Sequence, residues 1–416
     1  MSSSHYTLRA KPKTTPWMLL DLLVIGYLAH KLFPAVGYYM PAAVYAGLFL
    51  LTVLFLLPSI AKTFTSAVTL RMLCIFSVSL LTMVRYGLGG SIATIPVYLY
   101  GELQIVLFSW IALWYSSHAD PVRAKRILGF IFLAYIITSV TTYIGCVNNP
   151  LASRYMAANA GDDVNYLYYT SLNIGSFTFV YELVLLTPLV IYLLKSKNIN
   201  RLLGVLSLVG IGAVIVITEY TTALLVFAFS LLLLFVRRLT SKKILIFLVC
   251  LIVFIVLNTL VLADVFKQLS QSMESDSTVG DRFAYLADVL SGKGSSDDGY
   301  DRMALYEISW DTFWNTDLLG DWGGNGAGGH SFVLDSLAHF GIVGLAAVVL
   351  MYRAIYKLVL QPYKGQNFYP YLFWLYCIGI FMAIINPKTY LFIFIGLIPL
   401  FARVMADRNA AKEEAK

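Results

Sequence analysis

A short segment near residue 330 concentrates the residue types that could bind a substrate and transfer a proton. Six of the ten residues from Gly320 to Gly329 are glycine, and His330 follows them at the predicted start of an apolar helix. Glycine lets the backbone approach a ligand closely, so Gly328 and Gly329 are predicted to contact a substrate. The positive end of a helix disfavours an imidazolium, which would keep His330 neutral and able to accept a proton. A flexible loop leading into a structural helix would show the same pattern.

Helical spacing separates His330 from a second histidine in the same segment. On a continuous helix with about 100° per residue, Gly341 lies within about 20° of His330 and Gly344 within about 40°. Small residues on this face predict that another helix packs closely against Gly341 and Gly344 and fixes the histidine. His339 points about 180° away on the same geometry, so it is predicted to face lipid or a neighbouring helix.

An arginine opens an aromatic segment upstream of the glycines. In 301–314, aromatic residues recur at helical spacing after Arg302, which predicts an amphipathic helix. Tyrosine and tryptophan on such a helix suit the headgroup region of a membrane. Packing of the same stripe against other helices is an equally good interpretation.

Further ionisable residues fall inside predicted membrane spans. Arg85, Glu102 and Glu182 are functional candidates for that reason, because charges in lipid are costly. An ion pair between Arg85 and Glu102 is the structural alternative. Asp21 and Lys31 lie near predicted helix ends, where their charged groups are predicted to reach the membrane surface.

The amino-acid composition indicates that most of this chain is surrounded by lipid. Of its 416 residues, 59% are hydrophobic and 13% are charged, and the mean hydropathy is +0.75. A soluble domain carries about 25% charged residues, so the chain is predicted to be a polytopic membrane protein. The net charge of +7 comes from short basic clusters between apolar runs, which indicates membrane topology and no nucleic-acid partner. The four cysteines lie singly, without the spacing of a zinc or redox site.

Apolar runs of about 20 residues mark the predicted spans. Starting from a cytoplasmic N-terminus, an even number of spans places both termini and the basic clusters inside. Two external connections are long, 147–175 and 264–330, and the second is predicted to be partly helical and to carry function. The prediction is an all-α, single membrane domain over 1–416 with twelve spans, at 17–36, 40–58, 72–90, 92–115, 127–146, 176–194, 202–218, 221–236, 244–263, 331–352, 369–385 and 389–405.

These motifs resemble the O-antigen polymerases and O-antigen ligases of bacterial cell-surface polysaccharide assembly. That family has about twelve membrane helices and a large external loop that ends in His followed by Asn, Ser or Gln, nine residues and Gly-x-x-Gly. Here His330-Ser331, nine residues and Gly341-Ile342-Val343-Gly344 match without a gap. Arg302 before the aromatic helix, and Leu319-Gly320 before the histidine, are also similar to family features.

The resemblance implies an integral membrane glycosyltransferase of the bacterial inner membrane that acts at the external face. It would polymerise oligosaccharides linked to a polyprenyl diphosphate such as undecaprenyl diphosphate, without a metal or other cofactor. His330 and Arg302 would be catalytic, and other polysaccharide-assembly proteins would be partners besides the lipid bilayer. Ligation of a finished glycan to another acceptor would use the same donor. A lipid-linked oligosaccharide flippase is the alternative from a different class, although no internal repeat supports it.

One feature departs from the family. Members often carry an arginine in the short external turn between the two helices that precede the span before the large loop. Here that turn is Glu219-Tyr220-Thr221-Thr222, and no arginine lies between Arg201 and Arg237. The candidates to replace this phosphate-binding arginine are Arg282, Arg154 and Arg85.

Overall fold

The computed structural model describes residues 18–90, 92–156, 164–236, 239–257, 259–273, 280–281, 283–284, 287–288, 302–387 and 389–414, with the backbone alone at 221, 250–257, 259–261, 302 and 303. Over these residues the chain consists of helices and turns, without a strand. The predicted all-α class is therefore confirmed for this part of the chain.

The α-helices of four residues or more follow the apolar runs. Two of them, Pro34–Tyr39 and Pro121–Asn148, begin with proline, as expected where the missing N–H is not needed. Their bounds are Leu19–Leu32, Pro34–Tyr39, Ala42–Leu56, Ile60–Thr63, Ser66–Ile75, Ser77–Leu88, Ile95–Ser117, Pro121–Asn148, Ala152–Tyr155, Val164–Ser171, Phe177–Lys195, Arg201–Ile217, Thr221–Leu231, Ser241–Leu257, Thr259–Gln271, Arg302–Asn315, Phe332–Ile355, Tyr369–Ile385 and Ile398–Glu414. A π-helical turn, Tyr356–Leu360, follows Phe332–Ile355, and a second, Phe392–Leu397, precedes Ile398–Glu414.

Within the described residues, some apolar helices are long enough to cross a bilayer and others are shorter. Five helices are long and apolar enough to cross a bilayer, or six if a bent pair is one span. That pair, Ser66–Ile75 with Ser77–Leu88, bends by 53°. The six are compatible with a helical membrane protein, and the number twelve stays a prediction. Their bounds are Ala42–Thr63, Ile92–Ser117, Pro121–Asn148, Phe177–Lys195, Phe332–Tyr363 and the bent pair.

Two neighbourhoods of helices organise the bundle. Phe177–Lys195 is the most buried of the long helices and packs against Arg201–Ile217 and Tyr369–Ile385. Phe332–Ile355, called here the histidine helix, packs against both parts of the bent pair. It also packs against Arg302–Asn315, called here the aromatic helix. The histidine helix therefore connects the motif-bearing segment to the membrane core.

A buried ion pair joins two helices at one end of the bundle. The guanidinium of Arg123 donates to the Asp21 carboxylate from Nη2 at 2.7 Å and from Nε at 3.0 Å. Tyr115 donates to the same carboxylate, and Asp21 is only 1% exposed. The prediction that Asp21 reaches the membrane surface is therefore wrong, because a cation and a phenol from neighbouring helices satisfy it within the protein.

Candidate functional site at the glycine loop

The histidine helix begins two residues later than its histidine. Ser331 is the N-cap, and its hydroxyl oxygen accepts a hydrogen bond from the backbone N–H of Leu334 at 3.1 Å. The backbone N–H of Phe332 donates to the carbonyl of Asn386 at 2.9 Å, which ties the helix start to the end of Tyr369–Ile385. His330 thus lies on the approach to the helix, half-buried, between the glycines and the cap. The rotation predicted for it as a helical residue does not apply.

Asp335 joins three segments around this helix start. Its Oδ1 accepts from the Ser309 hydroxyl of the aromatic helix at 2.8 Å and from the Gly329 N–H at 3.2 Å. Its Oδ2 accepts from the Ser331 N–H at 3.1 Å. Because one carboxylate holds both chain segments that flank His330, it restricts where the imidazole can go.

The histidine helix is interrupted at Gly341. This residue has φ +58° and ψ −143°, a conformation that side chains disfavour. The backbone just before the glycines fills the interruption, since the N–H of Ile342 donates to the Leu318 carbonyl at 3.0 Å. A Cβ at Gly341 would overlap that carbonyl, and one at Gly320 would lie 2.5 Å from the backbone N of Gly341.

The first of the two helix glycines therefore does not have the predicted role, and the packing role of Gly344 stays a prediction. Gly341 receives a loop backbone where a neighbouring helix was expected. A Cβ at Gly344 would overlap the Ser336 carbonyl oxygen of the same helix. The spacing of these glycines reflects an interrupted helix, which the calculation for a continuous helix could not include.

The glycine-rich segment Gly320–Gly329, called here the glycine loop, is fastened to the aromatic helix. The Thr312 hydroxyl donates to the Gly326 carbonyl at 2.6 Å, and the Gly328 N–H donates to Ser309 Oγ at 2.9 Å. A Cβ at Gly328 would overlap the Leu305 carbonyl, so the aromatic helix occupies the close approach that was predicted for a ligand. Gly329 is exposed, with φ +75° and open space around it.

Arg85 comes to the glycine loop from the other side. Its Nη2 donates to the Gly324 carbonyl at 2.6 Å, and a Cβ at Gly89 would lie 3.2 Å from the Gly323 carbonyl oxygen. Among the described residues Arg85 forms no ion pair with Glu102, so the structural alternative for this arginine is wrong. The structure brings one candidate from a predicted span directly to the predicted site.

His339 is the site residue that the sequence placed wrongly. Its Nδ1 lies 3.0 Å from Oδ1 of Asp321, and the two side chains are 17% and 12% exposed. The N–H of Trp322 donates to the His339 carbonyl at 3.0 Å, so the glycine loop crosses the helix here. His339 therefore faces the glycine loop and not lipid. Asp321 was not predicted either, although an acid within a glycine run is a usable signal.

The aromatic helix begins at Arg302, close to its predicted start. Tyr306 donates to the Ile385 carbonyl at 3.1 Å and Phe313 is buried, while Trp310 and Trp314 are exposed. Tyr306 and Phe313 thus pack within the protein, and the headgroup position of Trp310 and Trp314 stays a prediction. The Arg302 side chain and all of Arg282 lie outside what the structure describes.

Arg154 reaches the turn that lacks the family arginine. Its Nη2 donates to the Glu219 carbonyl at 3.2 Å and lies 3.9 Å from the Glu219 carboxylate. The guanidinium carbon is 5.8 Å from the centre of the Tyr220 ring. A guanidinium from the loop 147–175 therefore occupies the surface where the turn 219–222 has none of its own.

No protein-family model matches this chain, and no curated protein matches it. The family resemblance accordingly rests on the motifs between Arg302 and Gly344.

Proposed function

We propose that this chain is an integral membrane glycosyltransferase that polymerises polyprenyl-diphosphate-linked oligosaccharides at the external face of the bacterial cytoplasmic membrane. The observation that carries the proposal is the glycine loop. It gathers Arg85, Asp321 and His339 around one short turn and leads directly into His330. Groups that bind anions and groups that accept protons thus meet beside apolar helices, which is the combination that a lipid-linked anionic sugar donor requires.

The chemistry assigns one task to each type of residue. A sugar hydroxyl of the acceptor attacks the anomeric carbon of the donor, and the lipid diphosphate leaves. The hydroxyl is a poor nucleophile at neutral pH, so a positioned base increases its reactivity; the resemblance gives this role to His330. The diphosphate gains negative charge as it leaves, and guanidinium groups stabilise it through paired hydrogen bonds. Arg302 has this role by resemblance, with Arg282, Arg85 and Arg154 as further ligands.

The test is turnover by the wild-type chain reconstituted in lipid vesicles. Polyprenyl-diphosphate-linked repeat units are supplied as the only substrate, and lipid diphosphate and glycan length are measured. Polymerisation predicts release of lipid diphosphate together with lengthening of the glycan. If no lipid diphosphate is released from the repeat unit alone, and release begins when a different acceptor is added in a second reaction, the protein is a ligase instead. If the donor stays intact but moves between leaflets of a vesicle, the protein is a flippase and the proposal is wrong.

Arg302 offers a test of the diphosphate contact. Lysine keeps the positive charge but loses the planar fork that binds two oxygens at once. We expect Arg302→Lys to lower the transfer rate by about 10-fold or more, as loss of transition-state charge stabilisation does. The measurement is initial rate at saturating donor, with Arg201→Lys as the matched control at the start of a distant helix. Equal rates for Arg302→Lys and wild type, with a dead Arg302→Ala, would show that net charge alone matters.

The proposal also fixes a topology, with both termini cytoplasmic and 264–330 outside. A single cysteine at Ser295, in a chain whose four native cysteines are replaced, is expected to react with a membrane-impermeant maleimide in intact spheroplasts. A cysteine at Ser196, which follows the basic end of Phe177–Lys195, is the control and is expected to react after lysis only. Reaction at Ser295 after lysis only would contradict the topology.

A further inference from the structure

Asp321 and His339 form a carboxylate–histidine pair that lies outside the His-to-Gly-x-x-Gly motif residues His330, Ser331, Gly341 and Gly344. One carboxylate oxygen, Oδ1, bonds to Nδ1 of the imidazole at 3.0 Å, and the other accepts from the Gly326 N–H at 2.7 Å. The carboxylate is thus held by the glycine loop on one side and holds the imidazole on the other. Its partner is fixed as well, because His339 lies within the histidine helix just before its interruption.

This geometry determines which ring nitrogen carries the proton. A carboxylate accepts hydrogen bonds and does not donate them, so Nδ1 must carry the hydrogen. In a neutral imidazole the lone pair then belongs to Nε2. A buried or half-buried acid that orients a histidine in this way is the arrangement by which hydrolases prepare a base for a hydroxyl group.

The hydrogen bond to Asp321 does not use the second ring nitrogen of His339, Nε2. The His339 side chain is 17% exposed, and the contact to Asp321 uses Nδ1 only. The Trp322 ring packs edge-on against Phe340 at 5.3 Å, which adds an aromatic wall beside the pair. Arg85 donates to the Gly324 carbonyl. The imidazole and the guanidinium therefore bond to residues of the glycine loop that are three positions apart, Asp321 and Gly324.

We infer that His339, oriented by Asp321, is the general base of the proposed transfer reaction, a role that the sequence motif gives to His330. Nε2 takes the proton of the acceptor hydroxyl as its O–H bond breaks. The hydroxyl oxygen forms a bond to the anomeric carbon, and the bond from that carbon to the diphosphate oxygen breaks with its electron pair leaving on the diphosphate. Asp321 acts through the imidazole as a positioning residue, and His330 contacts the donor. This inference rests on the proposed function.

The decisive variant is His339→Asn. An asparagine amide can place its N–H where Nδ1–H lies, so the bond to Asp321 and the packing of the glycine loop are kept while Nε2 is lost. We expect kcat to fall by about 100-fold or more, the usual contribution of a general base, with the KM for the donor changed by less than about threefold, since a base acts on the acceptor. Thermal stability in detergent should equal that of the wild type.

His118→Asn is the matched control. His118 is exposed and follows the C-terminal end of Ile95–Ser117, which the predicted topology places on the cytoplasmic side, opposite this site. It should leave kcat unchanged. If His339→Asn keeps wild-type kcat while His339→Ala loses stability, the pair is only structural and the inference is overturned.

Asp321→Asn tests the positioning role. Its amide oxygen can still accept from Gly326, but its NH₂ would donate to Nδ1 and move the ring hydrogen to Nε2. We expect kcat to fall by about 10-fold or more, again at unchanged donor KM. A near-normal kcat would contradict the assignment.

A chemical readout keeps this inference separate from the proposed function. Diethyl pyrocarbonate acylates a neutral, accessible imidazole nitrogen, and mass spectrometry locates the adduct. We expect an adduct at His339 in the wild type and its suppression by a polyprenyl-diphosphate-linked glycan. If the wild type shows no transfer although His339 is modified, the proposed function has failed. If transfer occurs and His339 is neither modified nor needed, only the inference has failed.

Discussion

Replacing Gly341 with alanine is expected to remove the loop from the histidine helix and to abolish transfer. An alanine at φ +58° is strained, and its Cβ would overlap the Leu318 carbonyl oxygen. Strain of this kind costs about 1–3 kcal/mol, and the overlap adds a similar amount. The strain is relieved if residue 341 becomes helical, but then the hydrogen bond from the Ile342 N–H to the Leu318 carbonyl is lost. His339 and Asp321 would separate as a result.

The measurements for Gly341→Ala are thermal stability in detergent, glycan transfer and proteolysis within the glycine loop. We expect a lower unfolding midpoint, no detectable transfer and faster cleavage. Gly129→Ala is the matched control, because Gly129 lies inside Pro121–Asn148 with open space at its Cβ position. It should be neutral or stabilising by up to about 1 kcal/mol. Similar behaviour of the two variants would mean that the interruption at Gly341 has no structural importance.

The second large effect is expected at His330. We expect His330→Ala to lower the transfer rate by about 100-fold or more, because the side chain stands where the glycine loop meets the helix cap. Loss of a base costs about 10²–10⁴ in rate, and loss of a transition-state hydrogen bond to the donor costs about 10²–10³. The assay is chain length of the surface polysaccharide in a strain without the endogenous protein, at matched membrane levels.

The donor KM separates the two roles that His330 can have. If it contacts the donor, as the inference on His339 requires, His330→Gln should retain more activity than His330→Ala and raise the KM for the donor. If His330→Ala supports normal chain lengths, the motif match and the catalytic position of the glycine loop are both wrong. His118→Ala serves as the control for loss of an exposed imidazole.

The sequence predicted the elements around the site better than it predicted their contacts. The helix expected at 331–352 is Phe332–Ile355, and the aromatic helix expected over 301–314 is Arg302–Asn315. Both follow from local periodicity. The interruption at Gly341 depends on a backbone segment that arrives from outside the helix, so periodicity could not reveal it. Because His339 was positioned by assuming a regular helix, its bond to Asp321 was missed for the same reason.

Arg85 shows a second reason why contacts could not be predicted from the sequence. The cost of a charge within an apolar run marked it as functional or paired, but its partner is the backbone carbonyl of Gly324, 239 residues away. A backbone oxygen leaves no trace in composition or spacing. The same holds for Arg154, which lies on the short helix Ala152–Tyr155 and donates to the Glu219 carbonyl.

The bonds between the glycine loop and the interrupted helix also bear on how the molecule assembles. The side chains of Asp321 and His339 are 18 residues apart in the chain, and those of Ser309 and Asp335 are 26 apart. Closing loops of this length costs little chain entropy, and such contacts form early in folding. These contacts within 302–345 can therefore form locally. The bond from Arg85 to Gly324 joins residues 239 apart, so it closes a much longer loop and is expected to form after them.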